Sequence, residues 1–147
     1  MNTTKKIALG SDHAGFELKE ALKTYISDDL GYEVIDYGTH NSDSVDYPHY
    51  GKLVATHVAQ GDATLGILVC GTGLGIGIAA NKIEGIRCAI VSEPYSAALS
   101  RQHNDANMLA IGARVVGLGT AQLIVKTFLE SEFEGDRHAR RVNMIEN

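Results

Sequence analysis

Cys70 opens the chemically densest stretch of the chain, Cys70-Gly71-Thr72-Gly73-Leu74-Gly75-Ile76-Gly77-Ile78-Ala79-Ala80-Asn81-Lys82. A glycine-rich turn leading into a helix bares backbone N–H groups, which suit an anion or an oxygen that turns negative during a reaction. A thiol placed there meets the positive end of the peptide dipoles, a setting that favours a thiolate able to act as nucleophile or general base. The bland alternative is a small core residue followed by a tight turn. Three other loop chemistries fail on spacing. A dinucleotide fingerprint counted from Gly71 needs Gly or Ala where Ile76 stands, and the later match Gly75-x-Gly77-x-x-Ala80 starts too far past the strand, although Glu93 lies at a suitable distance. A Walker loop needs Ser or Thr after its lysine, and Lys82 is followed by Ile83. A cysteine-dependent phosphatase wants an arginine where, again, Ile76 sits.

Other candidates lie apart in sequence. Asp12 and His13 follow a short apolar run, His13 well placed for an anion and Asp12 readable as the N-cap of the next helix. His103 and Asn104 end a helical segment, where a histidine is equally a favourable C-terminal charge. Arg114 follows another apolar run. In the tail Asp136-Arg137-His138-Ala139-Arg140-Arg141, Arg137 and Arg141 share a face if the segment is helical, a good phosphate clamp or else a solvated basic run. His40, His49 and His57 read as loop or solvated-helix residues, and Cys88 as packing within a strand.

These residues need a frame, and the hydrophobic pattern supplies one. Short β-branched runs at Lys6–Leu9, Glu33–Asp36, Leu65–Val69, Ile86–Val91 and Met108–Ile111 predict strands, the third and fourth apolar enough to be buried on both faces. Between them, Ala14, Leu18, Ala21, Leu22, Tyr25 and Ile26 mark the inner face of a first helix, with Lys19, Glu20 and Lys23 expected opposite. Pro48 and Pro94 each sit where a helix should open. Val115–Leu129 predicts another helix, and a shorter one is expected after Gly135. Alternating strands and helices imply one α/β domain over 1–147, a three-layer, doubly wound, five-stranded parallel sheet of Rossmann or flavodoxin type. In such sheets ligands bind beyond the carboxyl ends of the strands. Asp12, His13, Cys70 and Arg114 all fall there.

Composition excludes several classes. The net charge of −5 argues against broad nucleic-acid binding. No apolar run nears the roughly 20 residues of a membrane span. The start, Met1-Asn2-Thr3-Thr4-Lys5-Lys6, meets an apolar segment too short for the core of a signal peptide, so a cytoplasmic protein is expected. Two cysteines without a C-x-x-C pair, and no cluster spaced for a metal, lead us to expect neither disulfide nor metal nor cofactor.

In order along nearly the whole chain, Gly10-Ser11-Asp12-His13-Ala14-Gly15, Asp46-Tyr47-Pro48, Cys70-Gly71-Thr72-Gly73, Ile78-Ala79-Ala80-Asn81-Lys82, Ser100-Arg101-Gln102-His103-Asn104-Asp105-Ala106-Asn107, Gly112-Ala113-Arg114-Val115-Val116-Gly117 and Arg137-His138 resemble the type B ribose-5-phosphate isomerases. That family also contains galactose-6-phosphate isomerase subunits. The resemblance implies a homodimer, sometimes paired into a tetramer, with active sites between subunits and the C-terminal helix at about 136–146 against the partner. It implies Cys70 as the base that takes the C2 proton of the opened aldose and Thr72 as an aid to proton handling. His103 and Asp12 then serve ring opening and hydroxyl contact, with Tyr47 and Asn104 along the sugar. Gly71, Gly73 and Gly75 offer amides, and His13, Arg114, Arg137 and Arg141 hold the phosphate. One branch of the family carries a carboxylate in the loop in place of the cysteine; Ile76 occupies that position here, which places this chain in the cysteine branch.

The implied reaction interconverts ribose 5-phosphate and ribulose 5-phosphate. Its nearest rival is the same chemistry on allose 6-phosphate or galactose 6-phosphate. A more distant one is a non-catalytic nucleotide-binding or receiver-like domain, although a receiver would want an aspartate where Cys70 stands.

Overall fold

The computed structural model describes residues 5–147; Met1–Thr4 of the polar start lie outside the described residues. Strands β1 (Lys6–Ser11), β2 (Glu33–Asp36), β3 (Leu65–Cys70), β4 (Cys88–Ile90) and β5 (Met108–Gly112) form one all-parallel sheet in the order β2-β1-β3-β5-β4. The first three positions are those of a flavodoxin-like sheet, but β5 is inserted between β3 and β4. The helices are α1 (Phe16–Thr24, prolonged by a π-helical turn at Tyr25–Asp29), α2 (Tyr47–Ala59), α3 (Leu74–Ala80), α4 (Pro94–Gln102), α5 (Leu118–Glu130) and α6 (Arg137–Glu146).

Strand alternation divides the core in two. Ile7, Leu9, Ile67, Val69, Leu109 and Ile111 face α1, α4 and α5, meeting Leu22, Ala97, Ile124 and Phe128. Ala8, Leu68, Cys70, Met108 and Ala110 face α2 and α3, meeting Val54, Val58 and Ile76. Each fully buried Leu, Ile or Phe contributes about 1.5–3 kcal/mol, so both layers hold the sheet firmly. Pro48 and Pro94 lie in the first turns of α2 and α4, and Glu93 caps α4 by accepting the Ser96 amide at 3.0 Å.

The structure corrects four expectations. Lys19 is fully buried rather than on the solvent face of α1; its ammonium meets Asp36 Oδ2 at 2.6 Å, a partner from another element that helix periodicity does not reveal. Helix α5 starts at Leu118 instead of Val115, because the amides of Val115 and Val116 both turn back onto the Gly112 carbonyl at 3.0 Å. The fourth strand is trimmed to Cys88–Ile90. Asp12 is not the N-cap of α1: Gly15 holds that position, and Asp12 Oδ1 accepts the Gly15 amide at 3.0 Å. Among the described residues no helix is long and apolar enough to cross a membrane.

Candidate active site

The chain winds from β1 outward to β2, then returns to place β3 on the other side of β1, so the sheet's switch point lies between β1 and β3. Asp12 and His13 leave one strand there and Cys70 ends the other. The two ends touch: the Asp12 amide donates to the Val69 carbonyl at 3.3 Å, and Gly15 packs so tightly on Val69 that a side chain would collide with it.

Cys70 is buried, and its sulfur accepts the Gly73 amide at 3.1 Å. Gly73 can point that amide back because it adopts φ +82°, the left-handed region open to glycine. The Leu74 amide turns onto Thr72 Oγ1 at 3.2 Å. The amides of Gly73 and Leu74 are therefore engaged by the loop's own side chains, while those of Gly71, Thr72 and Gly75 carry no hydrogen bond among the described residues. This narrows the expected donor run from Gly71 to Gly75 to three amides.

Neighbouring strands brace the loop. The Ala113 amide donates to the Cys70 carbonyl at 2.8 Å and the Arg114 amide to the Gly71 carbonyl at 3.0 Å. Backbone lies on backbone, since a Cβ at Gly112 would fall 2.6 Å from the Thr72 carbonyl carbon. The Arg114 guanidinium covers Gly71, where an added Cβ would meet Nη1 at 3.2 Å. The Tyr47 ring rests on Gly75 closely enough that any side chain there would collide with it. His13 Nδ1 accepts the Val45 amide at 3.1 Å, which leaves the neutral ring its proton on Nε2. The switch point thus gathers Asp12, His13, Tyr47, Cys70, Thr72, Gly71, Gly73, Gly75 and Arg114.

His103, Asn104, Arg137 and Arg141 form a second set, at the end of α4 and on α6. Among the described residues no hydrogen bond, ion pair or ring contact joins it to the Cys70 set. His103 stacks on His138, ring centroids 4.2 Å apart and planes within 10°. His138 is buried, and burial together with the charges of His103 and Arg137 pushes its imidazole below the ordinary histidine value. In the sequence only its place between Arg137 and Arg141 marks His138 out. Glu134 Oε1 lies 3.6 Å from His138 Nε2 and 3.9 Å from His103 Nε2. These three side chains are spaced closely enough for a metal ion. Near-parallel stacked rings, however, cannot both aim in-plane lone pairs at one ion, and Arg137 and Arg141 add positive charge.

A cleft of about 600 Å³ beside β4 includes Asn104, Arg87, Cys88 and Ile145 but none of the Cys70 loop. A smaller one, about 380 Å³, borders Thr72, Leu74, Ile90, Glu93 and Val115. Cys88 is buried without a donor, and desolvation pushes its thiol up to about 12, in keeping with packing. His57 stacks on Tyr37 and pairs with Asp62, away from the switch point.

Comparison with known proteins gives this arrangement a context. Residues 7–145 match the family model described as Ribose/Galactose Isomerase. The chain is 56% identical over 141 residues to ribose-5-phosphate isomerase B of Escherichia coli, covering 96% of this chain and 94% of that one. A solved structure of Clostridium thermocellum ribose-5-phosphate isomerase B superposes with TM-score 0.94 at 55% identity, covering 96% and 95% of the two chains. A galactose-6-phosphate isomerase subunit of Clostridium acetobutylicum is 36% identical over 146 residues, covering 96% and 84%. The chain belongs to the ribose/galactose isomerase family, and it is an aldose–ketose isomerase.

Proposed function

We propose that this protein interconverts ribose 5-phosphate and ribulose 5-phosphate in the cytoplasm, with Cys70 as the base. The observation that carries the chemistry is the Cys70 sulfur at the switch point, held against the Gly73 amide at the head of a turn whose Gly71, Thr72 and Gly75 N–H groups are unengaged. The five-carbon substrate is favoured over its six-carbon rival by the identity of 56% to the Escherichia coli ribose-5-phosphate isomerase B, against 36% to the galactose-6-phosphate isomerase subunit.

In this scheme His103 moves the proton that opens the sugar ring, and Asp12, Tyr47 and Asn104 hold the hydroxyls. The Cys70 thiolate takes the proton from C2, and the C2 electron pair moves into the C1–C2 bond as the C1 oxygen becomes negative. The amides of Gly71, Thr72 and Gly75 hold that oxygen without reorganising, each such donor being worth about 3 kcal/mol in the transition state. Thr72 helps pass the hydroxyl proton between O2 and O1, and the Cys70 thiol returns its proton to C1, leaving the ketone at C2. His13, Arg114, Arg137 and Arg141 grip the phosphate, whose remote binding energy positions the reacting carbons. No step calls for a metal.

The separation of the His103 set from the Cys70 set supports a homodimer whose sites lie between subunits, with α6 reaching across. Exposed Leu74, Ile78, Val115, Met144 and Ile145 are consistent with such an interface. Turnover of ribose 5-phosphate by chelator-treated protein, with allose 6-phosphate beside it, tests the assignment. Fast formation of ribulose 5-phosphate supports it; activity on the six-carbon sugar alone moves the substrate, and silence on both contradicts the proposal.

A further inference from the structure

The buried cation of α1 has no part in the chemistry above. Lys19 is fully buried, its ammonium on Asp36 Oδ1 at 2.7 Å, on Asp36 Oδ2 at 2.6 Å and on Glu20 Oε2 at 2.9 Å. Half-buried Lys23 adds a contact to Asp36 Oδ2 at 2.9 Å, and the Phe16 ring lies under the Lys19 ammonium at 5.4 Å. A buried pair of this kind adds little stability over apolar residues of similar size, so its geometric consequences matter more.

Those consequences run to the active site. Asp36 Oδ1 also accepts the Gly38 amide at 2.9 Å. The Gly38 carbonyl in turn accepts the Ser11 amide at 2.8 Å, and the Ser11 carbonyl accepts the Thr39 amide at 2.9 Å. Ser11 immediately precedes Asp12 and His13. At the far end of the same segment the Val45 amide donates to His13 Nδ1 at 3.1 Å, two residues before Tyr47 takes its place against Gly75. The stretch 37–46 is therefore strapped to residues 11–13 at both ends. The near end is fixed by a carboxylate that the ammonium of Lys19 holds in place.

We propose that Lys19 and Asp36 are positioning residues for His13 and Tyr47, acting through the 37–46 strap without touching substrate. The kinetic part rests on the reading of His13 as a phosphate contact; the structural part does not. Lys19→Met removes the buried cation, and Asp36→Asn removes the charge while leaving an oxygen for the Gly38 amide.

The test pairs steady-state kinetics on ribose 5-phosphate with amide hydrogen exchange in both variants. Loss of the anchor should raise KM about tenfold, the equivalent of one weakened charge contact, with a smaller change in kcat. Amides of Thr39 and Val45 should exchange faster while those of β3 and α5 keep wild-type rates. Should Lys19→Met fail to fold, Lys23→Met carries the same test with a smaller effect in the same direction. Wild-type rates at Thr39 and Val45 in folded variants overturn the proposal. Faster exchange with unchanged KM overturns it too, because the pair would then serve the fold alone. A wild-type enzyme silent on ribose 5-phosphate contradicts the five-carbon substrate reading, and the exchange measurement still decides whether the anchor exists.

Discussion

The Gly73 amide points at the Cys70 sulfur from 3.1 Å, so the residue that closes the loop also donates a hydrogen bond to the thiol that opens it. The sulfur is thereby held on the α2 and α3 side of the sheet, in a turn whose Gly71, Thr72 and Gly75 amides carry no hydrogen bond among the described residues. The proposed base and the proposed oxyanion site would thus both be built from one turn.

Gly75 tests the packing of this turn. A methyl group at Gly75 would run into the Tyr47 ring, and overpacking of this kind costs about 1–3 kcal/mol. Gly75→Ala is expected to lower the melting temperature and raise KM, because relief requires the Tyr47 ring to leave the position proposed to line the sugar. Thermal unfolding and kinetics on the same preparation check both effects.

The proposed phosphate clamp makes a separate prediction. Arg137 and Arg141 lie on one face of α6, exposed and without an ion-pair partner among the described residues. Arg137→Ala and Arg141→Ala should each raise KM for the sugar phosphate at least about tenfold, as expected for a lost charge-assisted contact. Unchanged KM in both variants returns these arginines to a solvated tail.

The proposed sharing of the site between subunits is checked by complementation. Cys70→Ala and His103→Ala should each be inactive alone. Reassembled as mixed dimers, they should recover about a quarter of wild-type activity, because half the dimers are mixed and each carries one intact site. No recovery in verified mixed dimers would place both residues in a site within one subunit.

Acid stability follows from Asp36. Burial raises its carboxyl, but the ammonium groups of Lys19 and Lys23 and the Gly38 amide outweigh this and hold it at about 2, against 3.8 unperturbed. A carboxylate depressed in the folded state stabilises the protein above its unfolded value and loses that contribution as pH falls toward the folded one. Up to about 2 kcal/mol should therefore disappear between about pH 4 and pH 2. Asp36→Asn should flatten that part of the stability curve measured by denaturant unfolding.

Much of this was legible in the chain. The apolar runs located all five strands, and the residues following β1, β3 and β5 named the gathering of Asp12, His13, Cys70 and Arg114. The burial of Lys19 was not legible, because periodicity along one helix scores a lysine as solvent-facing and says nothing of a carboxylate on β2. Nor was the insertion of β5 between β3 and β4, which depends on how helices pack rather than on strand sequence. The stack of His103 on His138 was hidden for the same reason: it joins two helices whose relative placement no local pattern encodes.

The central claim is that Cys70 moves the C2 proton, and turnover of ribose 5-phosphate by Cys70→Ala and Cys88→Ala beside the wild type tests it most directly. Removing the proposed base should lower kcat by at least about a hundredfold, with circular dichroism and native mass unchanged. Cys88→Ala, which alters a buried thiol pushed up to about 12, should turn over like the wild type. Near-normal turnover by folded Cys70→Ala would contradict the account.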